Sequence, residues 1–452
     1  MRLPNVGKPS FPYSLLYWSV YLYFNVYYKK FTVIGRNNIP AGKPVIFAGN
    51  HQNALMDALS ILFAAHGKVV FLARADLFKK KMIARILFFL RILPVYRIRD
   101  GISSMGQNEE SFRKAAEVLK SGTPLALFPE GNHAGFKRLR SLKKGICRIA
   151  FMAEESAGFN LDLHIVPSGI DYSNYSDPGT QLLVKYGKPI RVADFIPVYR
   201  ENPQKALSML RDKLSEAMEP LMINISNEEE YDTYVDTCKV LVPHLIRQRK
   251  IRNTHHQRLL LEKEVIARLD ETLPLDPEAT EKLHIANKSY KDLLAKFGLR
   301  DWILRKPDRK FPAFLLDILI TFILLPVNLY GLAINFLPYK LPLLFSKKVK
   351  DEVFHSSIHF GIGMLLFPIY HLILLIIFSL IVSSFWVKFL FAISLPLSGI
   401  FTFYYYIHLL KLGGKLRYFW LKLFERESFN ELFEKRKALF HQLSQILKYP
   451  NL

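Results

Sequence analysis

Two apolar stretches, Phe360 to Val382 and Phe385 to Ile407, limit what this 452-residue chain can fold into more than any other feature. Each matches the roughly 20 apolar residues that cross a bilayer, and only Ser383 and Ser384 lie between them. Lipid offers the backbone no hydrogen-bond partner, so such a pair has to be a helical hairpin. Phe311 to Phe345 is apolar as well, but Asp317, Pro326, Asn328, Pro338 and Pro342 interrupt it. The pieces between those breaks are short, and the segment reads as re-entrant or interfacial as readily as a span. Basic residues flank the hairpin, Lys347-Lys-Val-Lys350 before it and Lys411 to Arg417 after it. The bias of Lys and Arg toward the cytoplasmic side puts both flanks there, which requires that Phe311 to Phe345 does not cross.

Outside the hairpin the chain is basic. Its formal net charge is +23 and its pI about 9.7, a balance that calls for an anionic partner. With membrane segments in the same chain, phospholipid headgroups are a simpler partner than nucleic acid. The two basic runs, residues 137–144 and 247–258, are read the same way. Two cysteines, Cys147 and Cys238, are too few for a disulfide framework and fit a reducing compartment. Phe11 to Tyr28 is rich in Tyr and Trp and lacks a small-residue cleavage site. It reads as an interfacial helix rather than a signal peptide or a span.

Between about residues 30 and 195 short apolar runs at 44–48, 68–72, 124–128, 163–167 and 181–186 alternate with helical patterns. Those patterns are Ala54–Ala65, Leu77–Leu90, Gln107–Leu119 and Leu142–Glu155. Such alternation implies an α/β sheet with parallel pairs. Pro203 to Ile225 reads as a further helix, Leu241 to Leu269 as one long amphipathic helix and Ser289 to Phe297 as another. The resulting plan is an interfacial aromatic helix at 1–34, an α/β domain at 35–200 and a charged helical region at 201–310. A membrane region at 311–408 and a basic amphipathic helix at 409–452 complete it.

The chemistry is written at two strand ends. Gly-Asn-His-Gln-Asn-Ala-Leu-Met-Asp (49–57) follows the apolar run 44–48, and Phe-Pro-Glu-Gly (128–131) follows Pro124 to Leu127. Open α/β sheets place their sites at such ends. His51 can act as a base near neutral pH and Asp57 can fix its tautomer. Asn50 can cap the helix that follows. Glu130 can accept from a hydroxyl, and Gly131 lets backbone approach. Arg74 and Arg97 also follow apolar runs and are candidates for phosphate, which Arg binds through paired N–H donors. No Gly-x-Ser-x-Gly elbow is present, so the signature of a serine nucleophile is missing. No grouped His and carboxylate set suggests a metal site. His66, His133 and His164 read as structural or surface residues.

Four blocks in order, Asn50-His51 to Asp57, Phe71-Leu-Ala-Arg74 with Leu93-Pro-Val-Tyr-Arg97, Phe128-Pro-Glu-Gly131, and Ile165-Val-Pro167, resemble the glycerolipid acyltransferases of the bacterial PlsC type. The resemblance spans about residues 35–195. It implies a glycerol-phosphate-acyltransferase-like mixed sheet flanked by helices, with His51 and Asp57 catalytic. Arg74, Arg97, Phe128, Pro129, Glu130, Gly131 and Arg138 would then bind substrate. It also implies transfer of a fatty-acyl group from acyl-CoA or an acyl carrier protein thioester, with no further cofactor. The acceptor would be glycerol-3-phosphate or a related glycerol phosphate, or alternatively a lysophospholipid. A non-catalytic lipid-binding protein is the reading from another class. The chain departs from the family pattern twice. Five residues rather than four separate His51 from Asp57, as in the fungal glycerol-3-phosphate/dihydroxyacetone-phosphate branch. The Arg usual after the Glu-Gly of the third block is replaced by Asn132-His133, with Lys137, Arg138, Arg140, Lys143 and Lys144 close behind.

Overall fold

A computed structural model describes residues 10–67, 69–96, 104–133, 135–305 and 311–449. The chain forms two compact units. The first is Met1–Asn224 with Phe345–Gly361, and the second is Ile225–Leu344 with Ile362–Leu452.

The first unit opens with α1 (Phe11–Tyr27), which Ser10 caps by accepting from the Tyr13 N–H. Strands β1 (Lys30–Ile34) and β2 (Val45–Gly49) precede α2 (Ala54–Ala64), β3 (Val70–Arg74), α3 (Lys81–Phe89) and β4 (Ile92–Val95). There follow α4 (Ser104–Lys120), β5 (Leu125–Leu127), α5 (Gly145–Ser156), β6 (His164–Tyr172), β7 (Gln181–Tyr186), β8 (Ile190–Arg191), α6 (Ile196–Glu201) and α7 (Pro203–Met218). The strand order is β1-β7-β6-β2-β5-β3-β4, with β8 beside β6. Four parallel neighbours, β6, β2, β5 and β3, form the middle of the sheet. The pairs β6–β7 and β6–β8 are antiparallel, so the sheet is mixed. Parallel pairing needs crossovers, and α2 to α5 supply them. All five β2 side-chain positions are buried, as expected of a central strand covered on both faces. One face packs Ile46, Val70, Leu125 and Ile165 against α5 and α7 through Ile149, Ala150, Leu210 and Leu214.

All five predicted runs are strands, but β1, β4 and β8 were not among them. β4 carries Pro94 and is the last strand in the order. Proline is tolerated at an edge while lowering the sequence signal. The boundary expected at 200/201 falls inside the first unit, because α7 and the turn after it back onto the sheet. A Cβ added to Gly169 of β6 would lie 2.4 Å from the Leu221 carbonyl oxygen.

The second unit is helical: α8 (Tyr231–Gln248), α9 (His255–Thr272), α10 (Pro277–Lys296), the short α11 (Asp301–Leu304) and the bulk of α12 (Phe311–Ser346), α13 (His355–Ile381), α14 (Phe385–Phe424) and α15 (Arg426–Leu447). The single helix expected over 241–269 is two. Lys250 turns into the left-handed region at φ 54, and Thr254 caps α9 by accepting from the Gln257 N–H, so the densest basic run lies in and around a turn. Ser289 to Phe297 is the end of the longer α10.

Among the described residues three helices are long and apolar enough to cross a membrane, residues 311–346, 352–381 and 385–424. The short pieces expected within 311–345 are instead one helix of 36 residues, about 54 Å long at 1.5 Å per residue. Its polar residues find partners on neighbouring helices rather than breaking it. Asn335 donates to Ser398 Oγ at 3.1 Å and lies 2.8 Å from His371 Nε2, Thr321 meets His408, and Asp317 pairs with Lys415. Residues 409–424 continue α14 past the expected end at Ile407, and only from Arg426 does a separate helix run.

Candidate active site

The parallel strands β2, β5 and β3 share an end, and the motif residues emerge there. β2 delivers Asn50 and His51, β5 delivers Phe128 to Gly131, and β3 ends on Arg74. Asn50 is fully buried and does not cap α2. Its amide bridges to β6, accepting from the Ile170 N–H at 2.6 Å and donating to the Ile170 carbonyl at 3.0 Å. That pair of hydrogen bonds fixes where β2 stops and the turn carrying His51 begins.

His51 Nδ1 lies 2.8 Å from Asp57 Oδ2. The same oxygen accepts from the backbone N–H of Gln52 at 2.7 Å and of Asn53 at 2.6 Å, and Oδ1 accepts from the Tyr172 hydroxyl at 2.7 Å. Asp57 is 0% exposed, and four donors together with the N-terminal turn of α2 offset the cost of burying its charge. Burial and the nearby Asp57 hold the Tyr172 phenol well above its ordinary pKa, so it stays a donor. Acceptance from the Nδ1–H leaves Nε2 as the free base. The Phe128 ring stacks on His51 at 4.3 Å with 14° between planes. Gly49 makes room for that ring, since a Cβ there would sit 3.0 Å from it.

Ala54, one of the five residues between His51 and Asp57, has φ +37. A left-handed conformation costs a residue with a Cβ about 1–2 kcal/mol. Ala54→Gly should therefore raise the unfolding midpoint by about 2–4 °C, and Ala54→Val should lower it. Equal midpoints by thermal melting would show that the turn carries no strain.

Glu130 is the second buried carboxylate. Its Oε1 accepts from the His51 N–H at 3.1 Å, and its Oε2 from Arg140 Nε at 2.7 Å. Arg140 also donates to the carbonyls of His51 and Asn132. Burial pushes the Glu130 carboxyl above the usual range, and Arg140 opposes that. Gly131 has φ +76, a conformation that favours glycine.

The remaining predicted residues are placed unevenly. Arg74 is 47% exposed at its side chain and gives its guanidinium to Asp76. Arg97 lies outside the described residues. Arg138 is on the loop from β5 to α5, where its N–H donates to the Phe136 carbonyl at 2.9 Å. His164 opens β6 at the opposite end of the sheet, and His66 follows the far end of α2. His133, read from the sequence as structural or surface, instead lies edge-on to His51 at 5.5 Å. Arg140 and Tyr172 also belong to the site. Arg140 was one of five basic residues within 137–144, and Tyr172 had no signal beyond its position at a strand end.

Residues 30–171 match the family model described as Acyltransferase. The chain is 24% identical over 192 residues to the chloroplastic 1-acyl-sn-glycerol-3-phosphate acyltransferase of Arabidopsis thaliana, covering 42% of this chain and 49% of that one. It is 31% identical over 121 residues to the 1-acyl-sn-glycerol-3-phosphate acyltransferase of Borreliella burgdorferi, covering 27% and 46%. The chain thus spans about half the length of these curated relatives. A crystal structure of the 1-acyl-sn-glycerophosphate acyltransferase PlsC from Thermotoga maritima overlaps 53% of this chain and 80% of its own, at 19% identity and a TM-score of 0.30. The fold class rests on the strand order itself rather than on that overlap.

Proposed function

We propose that this chain is a membrane-bound O-acyltransferase that moves a fatty-acyl group from a thioester to a hydroxyl of a glycerol-phosphate acceptor. The observation that carries the reading is the His51–Asp57 pair, 2.8 Å apart at the shared strand end inside the stretch that matches the Acyltransferase family model. His51 Nε2 takes the proton of the acceptor hydroxyl as its oxygen attacks the thioester carbonyl. The C–S bond then breaks, and the imidazolium returns the proton to the leaving thiolate. Lysophosphatidate is the first choice of acceptor, because the relatives named above carry that substrate in their names. Glycerol-3-phosphate is the second, because the longer His–Asp turn is like that of the branch named for it. The donor is acyl-CoA or an acyl carrier protein thioester. The test is acylation by the purified full chain offered lysophosphatidate, glycerol-3-phosphate and dihydroxyacetone phosphate side by side. Turnover of none of the three would sink the reading.

The membrane topology proposed with it puts the catalytic domain on the cytoplasmic face, with α13 and α14 crossing as a hairpin. Residues 351–357 pack on the catalytic turn within the first unit, so the chain after α12 is on the catalytic side. Among the described residues no candidate span lies between residue 224 and Phe311, so the chain before α12 is on that side too. With both ends on one face, α12 dips into the bilayer beside α14 as far as Asn335, which meets Ser398 and His371, and returns to that face rather than crossing. Val349→Cys in intact cells should resist an impermeant thiol reagent until the membrane is opened. Cys147 and Cys238 are buried and give little background. Labelling from outside would make α12 a full span.

A further inference from the structure

The acyltransferase-family match ends at residue 171, yet the catalytic turn is touched by residues some 180 positions further on. Asp351 Oδ2 lies 3.5 Å from His133 Nε2, and the Phe354 ring meets the His133 ring edge-on at 4.6 Å. Gly135 leaves room for Val353, whose Cγ2 would be 3.4 Å from a Cβ there. A few residues on, Ser356 donates to Asn53 Oδ1, and Ser357 Oγ accepts from the Leu55 N–H at 3.2 Å. Ser356 is 1% exposed. Asn53 is doubly held, since its amide also donates to the Tyr175 carbonyl at 2.8 Å. All of these contacts lie within the first unit.

We propose that residues 351–357 are a working part of the active site, with two separable jobs. Asp351 and Phe354 hold His133 beside His51 as the wall that the acceptor's polar head meets. Ser356 is a positioning residue that acts through Asn53 on the turn carrying the donors to Asp57. Among the described residues Asp351 is the ion-pair partner of His133, and the His133 ring lies between His51 and the distant turn. Ser356 sits in the first turn of α13, so the catalytic turn is pinned to the head of a membrane-length helix. The inference rests on the acyl-transfer reading above.

The two jobs have different kinetic signatures. A wall that contacts the acceptor equally in the ground and transition states moves KM alone, whereas misplacing the base moves kcat. Phe354→Ala, Asp351→Asn and His133→Gln should each raise the acceptor KM by about tenfold, one charge-assisted hydrogen bond's worth, with donor KM and kcat within about twofold. The double variant Asp351→Asn/His133→Gln should cost no more than either alone, because the residues act as a unit. Ser356→Ala should lower kcat by about tenfold or more at unchanged acceptor KM. Unchanged acceptor KM in all three wall variants, or additive effects in the double variant, overturns the wall. Unchanged kcat in Ser356→Ala overturns the positioning role. One readout needs no turnover: His133→Cys, followed by peptide mapping, should be alkylated faster when combined with Phe354→Ala. Equal rates would show that the turn does not cover position 133, even if no acceptor is ever found. Conversely, turnover of none of the offered acceptors would remove the acyl-transfer reading while leaving the alkylation result standing.

Discussion

His51→Ala should lower acyl transfer by about 10² to 10⁴, the range for loss of a general base, while the protein stays folded and membrane-bound. The ring is stacked on Phe128 but is not a core residue, so the loss belongs to chemistry rather than to packing. Asp57 separates into two variants. In Asp57→Ala the His51 Nδ1–H and two backbone N–H groups lose their shared acceptor at once, and activity should fall as far as in His51→Ala. In Asp57→Asn the amide oxygen can take the place before those three donors, with its NH₂ toward the Tyr172 hydroxyl. The tautomer then survives and only the charge that stabilises the imidazolium is lost, so Asp57→Asn should retain more activity than Asp57→Ala. Initial rates at saturating substrates check the order. His51→Ala retaining more than a tenth of wild-type activity would remove His51 as the base, and Asp57→Asn as inactive as Asp57→Ala would mean that the tautomer is lost as well.

The placement of the candidate site was more legible in the sequence than the element and domain boundaries were. His51, Asp57 and Glu130 were legible because a buried strand that ends on a charged or polar group has to spend that group on something, and both strands end side by side. Asp57 shows the limit. Its spacing from His51 was legible, but not the left-handed Ala54 between them, because Ala has no preference for that conformation. Arg74 was read as a phosphate ligand from its place at a strand end, but a carboxylate two residues on holds its guanidinium, and pairing between exposed neighbours leaves no mark in a pattern of apolar runs. His133 was invisible for another reason. Its partners, Asp351 and Phe354, are more than 200 residues away and beyond two changes of composition. In the membrane region three prolines suggested a break that satisfied polar contacts make unnecessary.

Arg140→Ala should be the most damaging change outside the His–Asp pair. Arg140 supplies a side-chain cation to a carboxylate that is 1% exposed at its side chain, and removing one partner of a buried pair typically costs about 3–5 kcal/mol. Arg140 is itself a quarter exposed, so water can partly replace it and the low end of that range applies. The loss has a pH signature. Burial already holds the Glu130 carboxyl above its ordinary range with Arg140 in place, and without the guanidinium it moves further up. A carboxyl raised in the folded state binds its proton more tightly there than in the unfolded chain, so folding is helped by acid and opposed as pH rises through the raised value. The stability gap between wild type and Arg140→Ala should therefore be widest well above that pKa and should narrow on acidification. In the variant Glu130 is protonated at a higher pH than in wild type, its hold on the His51 N–H weakens, and activity should fall over that range. Arg140→Lys keeps the charge but not the fork that reaches Glu130 and two backbone carbonyls at once, and should recover stability more fully than kcat. Melting midpoints at several pH values, with kcat measured on the same samples, decide it. A gap that is constant with pH would mean that Arg140 acts through its carbonyl contacts and not through Glu130.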